Sequence, residues 1–278
     1  MLFVTFLQVP LSHLGRAFTD TRFLSALMVG NFVAIPLLVA ALVQFLPAEP
    51  LLVIGVLFVL LTPCVDYVVT FSHLGRGDSK SLLAATPLLL LAQMALLPLY
   101  LGLLIGGEVA ELVKLEPFLH AFMVLIAGPL LMAGLLQLLA HRAKAVEVLV
   151  GALGLAPVPA TALVLLVVIC AVVPQLGLAS ESVRSVAPIY VAFAIIAPIA
   201  GWLVARAFSL PADQGRAVAF SSATRNSLVI LPLAWAVPGA VPIILAVIVT
   251  QTLVEILSKL VYIRRHASAS RLDQHLNR

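Results

Sequence analysis

No feature of this chain constrains its fold more than the succession of apolar runs that fills it from Phe3 to Ile263. A helix needs roughly 20 residues to cross the hydrocarbon of a bilayer. Inside lipid, backbone N–H and C=O groups must be satisfied within the segment itself, which makes such runs helices. Runs of this kind lie near 2–15, 23–46, 51–73, 82–106, 117–140, 157–177, 185–208, 214–236 and 240–263. The composition agrees: 63% of residues are hydrophobic and 10% charged, which excludes an ordinary soluble domain. The chain is therefore read as an all-α polytopic membrane protein of about nine helices. The first run is short, so the N-terminus reads as clipped relative to a complete fold. No small-residue cleavage site follows Met1.

The net charge of +4 could suggest nucleic acid, but the positions of the charges do not. One set of alternate loops collects Arg16, Arg22, Arg76, Lys80, Arg142, Lys144, Arg206, Arg216, Arg264, Arg265, Arg271 and Arg278, with Lys259 just inside the boundary. The other set holds Lys114 and Arg184 beside Glu49, Glu108, Glu111, Glu116 and Glu181. Basic residues gather on the cytoplasmic side of membrane proteins, so the C-terminal tail, 264–278, is placed in the cytoplasm and nucleic acid is not a partner. Cys64 and Cys170 both fall in apolar runs; Cys170, with no polar neighbour, reads as packing. The segment 142–150 reads as a basic amphipathic linker along the membrane surface.

The spans also repeat. Arg22 and Pro36 are fourteen residues apart, as are Arg184 and Pro198, each pair at the start and middle of a span. A span interrupted by polar residues follows each, at 62–66 and at 221–227, and then one carrying Gln93 in the first unit and Glu255 in the second. By the loop count the units 1–106 and 117–263 have opposite topology, the mark of inverted-repeat transporters. Together they form a single membrane domain.

Prolines within spans, Pro36, Pro63, Pro87, Pro98, Pro198 and Pro232, predict kinks or breaks. The break at Thr62-Pro63-Cys64-Val65-Asp66 is the most pointed, since a bare Asp at the midplane costs at least about 2.5–3.5 kcal/mol. Asp66 is expected to cap the second half-helix, and Asn226 or Ser227 to do so in the other span. Arg225, at similar depth, is the expected partner of Asp66, as a switchable or a static pair. It would also place a tethered cation where a co-transported metal ion would otherwise sit. Cys64 could ligate a thiophilic solute or be a small buried hydrophobe. Asp66, Arg225, Asn226, Ser227 and Thr224 are expected to line a solute site, with Asn31, Thr62, Ser221, Ser222, Gln93 and Gln251 as supporting polar residues; Gln93, Thr250, Gln251 and Thr252 could instead hydrogen-bond between helices. Glu255, if unpaired, would titrate or bind a cation. Asn31, five residues before Pro36, is expected to satisfy backbone that the proline frees.

A membrane-embedded enzyme would have to rest on Gly75-Arg76-Gly77-Asp78, with Asp66 as second acid. Twelve residues of helix would hold the two carboxylates roughly 18 Å apart, too far to share a proton. No zinc-binding or serine-nucleophile motif is present, and no cofactor or metal is called for.

Thr62-Pro63-Cys64-Val65-Asp66-Tyr67 through Leu74-Gly75-Arg76-Gly77-Asp78 resembles the Pro-Cys…Leu-x-x-Gly-Asp region of arsenite efflux carriers in the bile acid/sodium symporter superfamily. Asn31-Phe-Val-Ala-Ile-Pro36 is similar to their Asn-Trp-Val-Ile-Gly-Pro stretch, and Thr224-Arg225-Asn226-Ser227 lies where their second broken helix crosses the first. The likeness runs from about 23 to 263, with the first family helix missing. It implies ten helices in a complete member, a core of two crossed, broken helices, and Cys64 as the thiol that arsenite carriers need. The chain also departs from the pattern. Asp66 replaces a small residue, the second crossing helix lacks the arsenite carriers' acid, and Ser221 and Arg225 stand where sodium-coupled carriers place Glu and Gln. The resemblance thus implies arsenite or oxyacid efflux coupled to protons or exchange, not to sodium. The other reading is an organic-anion carrier, bile-acid-like or carboxylate. Expected partners are the solute, membrane lipid and, left open, a second copy in a homo-oligomer. The expected location is an inner membrane.

Overall fold

A computed structural model describes residues 3, 7, 20–65, 67–104, 123–124, 128–140, 144–153, 163, 166–167, 170, 180–227 and 241–276. Among them are nine helices and no strand: α1 (Thr21–Val43), α2 (Pro50–Leu60), α3 (Tyr67–Leu74), α4 (Ser79–Leu104), α5 (Gly128–Ala140), α6 (Lys144–Leu153), α7 (Ser180–Ala207), α8 (Ala212–Ala223) and α9 (Val241–Leu276). Four stretches are long and apolar enough to cross a membrane: Thr21–Val43, Ser79–Leu104, Glu181–Ala207 and Ile243–Arg264. The chain is an all-α polytopic membrane protein. Large side chains such as Leu37, Leu103, Ile195, Leu203 and Leu257 are exposed on the outside of these helices, the surface a lipid solvent would cover. The sequence runs at 2–15 and 157–177 lie almost wholly outside the described residues, as do Pro232 and Asp66.

Each element begins and ends where local chemistry dictates. Asp20 opens α1 by accepting from the Phe23 N–H at 3.0 Å. Over Gly30–Ala34 the same helix widens by a residue per turn, the Ile35 N–H reaching back to Gly30 O. Pro36 has no N–H for the carbonyl of Phe32 four residues earlier; the Tyr100 hydroxyl donates to that oxygen instead, at 2.5 Å. Asn31, expected in this role, donates instead to Leu27 O of the preceding turn and to Ser221 Oγ on α8. Pro50 sits in the first turn of α2, where its missing N–H costs nothing. Helices α4 and α7 are continuous through Pro87, Pro98, Pro188 and Pro198, so of the described prolines within spans only Pro63 ends a helix. The expected tail at 264–278 continues α9 as helix to Leu276.

Gly75-Arg76-Gly77-Asp78 is a turn and cap. Arg76 has φ 59°. A Cβ on Gly77 would lie 2.5 Å from Ser72 Oγ and 3.0 Å from the Ala217 nitrogen, so only glycine lets the turn lie on α8. Asp78 accepts from the Ser81 N–H at 3.1 Å and from the Ser81 hydroxyl at 2.5 Å, capping α4.

Small residues bring α1, α7 and α8 together. Ser222 of α8 faces two glycines: a Cβ on Gly30 would stand 3.1 Å from its Oγ, and one on Gly201 2.6 Å from Oγ and 2.8 Å from its Cβ. At one end the Arg22 guanidinium donates to Phe208 O at 2.9 Å, and Gln214 donates to Asp20 at 2.7 Å, so the start of α1 lies beside the end of α7. Gly201→Ala should therefore overpack this seam at a cost of about 1–3 kcal/mol, seen as a lower thermal midpoint of the detergent-solubilised protein. An unchanged midpoint would mean that α7 and α8 part freely.

Candidate functional site

Pro63 cannot continue α2 and disfavours helix at Thr62, so the span stops. Its last turn is closed by Thr62, whose hydroxyl donates to Phe58 O at 2.9 Å and Val59 O at 3.1 Å. α8 stops in the same way, with Thr224 extended (φ −113°, ψ 123°) and its hydroxyl donating to Phe220 O at 2.5 Å. The two extended segments cross and pair: Pro63 and Arg225 form an antiparallel bridge, the Cys64 N–H donates to Thr224 O at 3.0 Å, and the Asn226 N–H to Thr62 O at 2.8 Å. Each break supplies the backbone partners that lipid withholds from the other.

Both first half-helices point their carbonyl ends at this crossing, where partial negative charge accumulates. The buried Arg225 side chain lies across them. It donates to Leu60 O at the end of α2 (3.3 Å), to Ser221 O and Ser222 O at the end of α8 (2.8 Å each), and to Asn31 Oδ1 (2.9 Å). Its guanidinium carbon stands 5.7 Å from the centre of the Phe193 ring. Asn31 is held in turn: its amide donates to Leu27 O at 3.1 Å and Ser221 Oγ at 2.9 Å. The Lys259 ammonium, fully buried, donates to Ala223 O at 2.8 Å and sits 6.0 Å and 5.4 Å from the Phe220 and Tyr262 ring centres. The end of α8 thus has two cationic caps from outside its own sequence.

Glu255 is the acid that faces them. One carboxylate oxygen accepts from the Arg225 backbone N–H at 2.8 Å and the Gln251 amide at 2.6 Å, and the other lies 3.0 Å from the Tyr67 hydroxyl. Glu255 is thus not unpaired: three donors face its carboxyl group. The Tyr67 hydroxyl also lies 2.7 Å from Arg225 O, so its single proton is shared between two acceptors. Cys64 is fully buried at the crossing, in the segment that pairs with Thr224.

The structure brings together Asn31, Thr62, Cys64, Ser221, Ser222, Thr224, Arg225, Asn226, Gln251 and Glu255 around the crossing. Ser227 is buried beside them, its hydroxyl 3.0 Å from that of Thr252 on α9. Asp66 falls outside the described residues; the Arg225 guanidinium meets Asn31, backbone carbonyls and the Phe193 ring, and its backbone meets Glu255 and Tyr67. Gln93 is buried on α4, and its side-chain oxygen has no hydrogen-bond partner among the described residues. Cys170, expected as packing, is exposed. Two residues the sequence reading passed over belong here. Lys259 was counted with the cytoplasmic boundary charges, although it stands one helical turn after Glu255 on the same face. Tyr67 opens α3 directly after the break.

Asn31→Leu should leave a buried guanidinium N–H without its side-chain acceptor, costing about 1–3 kcal/mol and lowering the thermal midpoint accordingly. A midpoint equal to that of the unsubstituted protein would mean that the carbonyls alone hold Arg225.

Compared with known proteins, the chain matches the model of the Sodium Bile acid symporter family over residues 1–183. That match covers Asn31, the first broken helix and Cys64, and stops short of α8 and α9. No curated protein matches the chain.

Proposed function

The chain belongs to the Sodium Bile acid symporter family, a family of transporters, and from that premise we propose that it is a secondary carrier exporting arsenite or a related oxyacid by alternating access, without sodium. The observation that carries the sodium-independent part is the pair of tethered cations. Carbonyl ends of broken helices coordinate sodium in transporters. Here Arg225 and Lys259 already donate to Leu60 O, Ser221 O, Ser222 O and Ala223 O. A guanidinium and an ammonium at these oxygens oppose a further cation by repulsion and by occupying its ligands.

Glu255, with Arg225 and Asp66, is proposed as the coupling element. A neutral Glu255 can donate to the Tyr67 oxygen while Tyr67 donates to Arg225 O; an ionised one competes for the same phenolic proton. One proton therefore decides whether the second break is held to α3 and α9 by a complete chain of hydrogen bonds. Cys64 is proposed as the solute's thiol ligand, because it is fully buried at the crossing, its N–H paired with Thr224 O. Asn226, Ser227 and Thr224 line the proposed path beside it. The organic-anion reading is favoured by one feature: among the described residues the crossing holds two buried cations against one carboxylate, Glu255.

Two measurements test this reading. In proteoliposomes, arsenite flux should be equal in sodium and potassium media; flux stimulated by sodium would refute the tethered-cation argument. Cys64→Ser should abolish arsenite resistance in a sensitive host, whereas resistance that survives would remove arsenite and leave the organic anion.

A further inference from the structure

Outside the crossing, the described residues contain an apolar cavity of about 210 Å³ between α7, α8 and α9, lined by Pro198, Ile199, Trp202, Ala219, Phe220, Tyr262 and, at one end, Arg216. Trp202 and Arg216 lie near the short turn that joins α7 to α8, so the guanidinium marks the end of the cavity closest to the helix ends. Ile199 is exposed on the outer face of α7, which opens the cavity sideways to the surface that lipid covers. Its inner wall, Phe220 and Tyr262, consists of the two rings over which Lys259 sits.

We propose that this cavity holds an anionic phospholipid, its phosphate on Arg216 and the first carbons of one acyl chain against Trp202, Ile199 and Phe220. Three features select that occupant. The lining is apolar except for one guanidinium, which suits an amphiphile with a single anionic end. Arg216 is anchored by its Nε donating to Arg76 O at 2.9 Å, and no other hydrogen bond of this guanidinium is found among the described residues, which leaves its terminal donors to a phosphate. The same end of the molecule carries Arg76 and Arg206, and the loop count assigns it to the cytoplasmic leaflet, where anionic lipids gather and basic pockets between helices bind their headgroups. A bound acyl chain would rest on the outer faces of Phe220 and Tyr262 and keep them packed over Lys259. Lipid occupancy thereby reaches the crossing through two rings.

Trp202 reports on the cavity directly, since the chain has two tryptophans and Trp235→Phe leaves only this one. The full-length Trp235→Phe protein in neutral detergent is titrated with brominated phosphatidylglycerol or brominated phosphatidylcholine, and Trp202 fluorescence is followed. Saturable quenching at about tenfold lower phosphatidylglycerol than phosphatidylcholine is expected, because both offer Arg216 a phosphate but the choline cation of phosphatidylcholine offsets its charge and is repelled by the guanidinium. Arg216→Gln should abolish the preference and Arg216→Lys keep most of it, which separates loss of charge from loss of fold. Equal quenching by the two lipids, a preference that survives Arg216→Gln, or displacement by millimolar inorganic phosphate would each overturn the proposal.

Discussion

The structure depends on the way two interrupted helices satisfy each other inside lipid. A span that stops at Leu60 or Ala223 leaves carbonyls and N–H groups at a depth where water is scarce, and each such group costs several kcal/mol. The antiparallel crossing of Pro63–Cys64 with Thr224–Asn226 meets part of that demand. Arg225 and Lys259 meet much of the rest. Burying two cations is itself expensive, but the acceptors they find are helix-end carbonyls whose dipoles favour positive charge. Each side of the arrangement explains the other: broken helices need donors, and buried cations need acceptors.

Much of this was legible in the sequence, because the bilayer turns composition into architecture. The spans containing α1, α2–α3, α4, α7, α8 and α9 were read from apolar length alone, and the break at Pro63 from the fixed chemistry of proline. Proline alone was nevertheless a poor guide. α7 continues through Pro198 and α1 through Pro36, because a carbonyl left free within a helix can be taken by a neighbour, as Tyr100 takes that of Phe32. At Pro63 the neighbouring break offers an alternative with more hydrogen bonds, and the helix ends.

The partners at the crossing were less legible, for a geometric reason. Arg225, Asn31 and Glu255 were each marked by being polar within an apolar span, but sequence spacing says nothing about contacts between helices. Asp66, the acid expected opposite Arg225, lies outside the described residues. Among the described residues the Arg225 side chain folds back along the axis of α8, toward carbonyls, while its backbone N–H meets Glu255. Lys259 was misassigned because a lysine near a helix end ordinarily snorkels to the interface. It stays buried because Ala223 O and two aromatic rings offer it more than the surface does.

The same contacts indicate where motion is possible. Both ends of α8 are tied to α1, the start through Gln214 and Asp20 and the finish through Ser221 and Asn31, but the finish alone is tied to Glu255 and Lys259 of α9. A movement that separates the crossing from α9 must break a cluster of charge-assisted bonds together, so its cost is concentrated in one step and suits a two-state transition better than gradual bending. The seam of Gly30, Gly201 and Ser222 is of the opposite kind. There the close approach is between small groups and the Ser222 hydroxyl, and a helix pair so joined can tilt as one piece. The fold thus places its close small-residue contact between α7 and α8 and its cluster of charge-assisted bonds between α8 and α9.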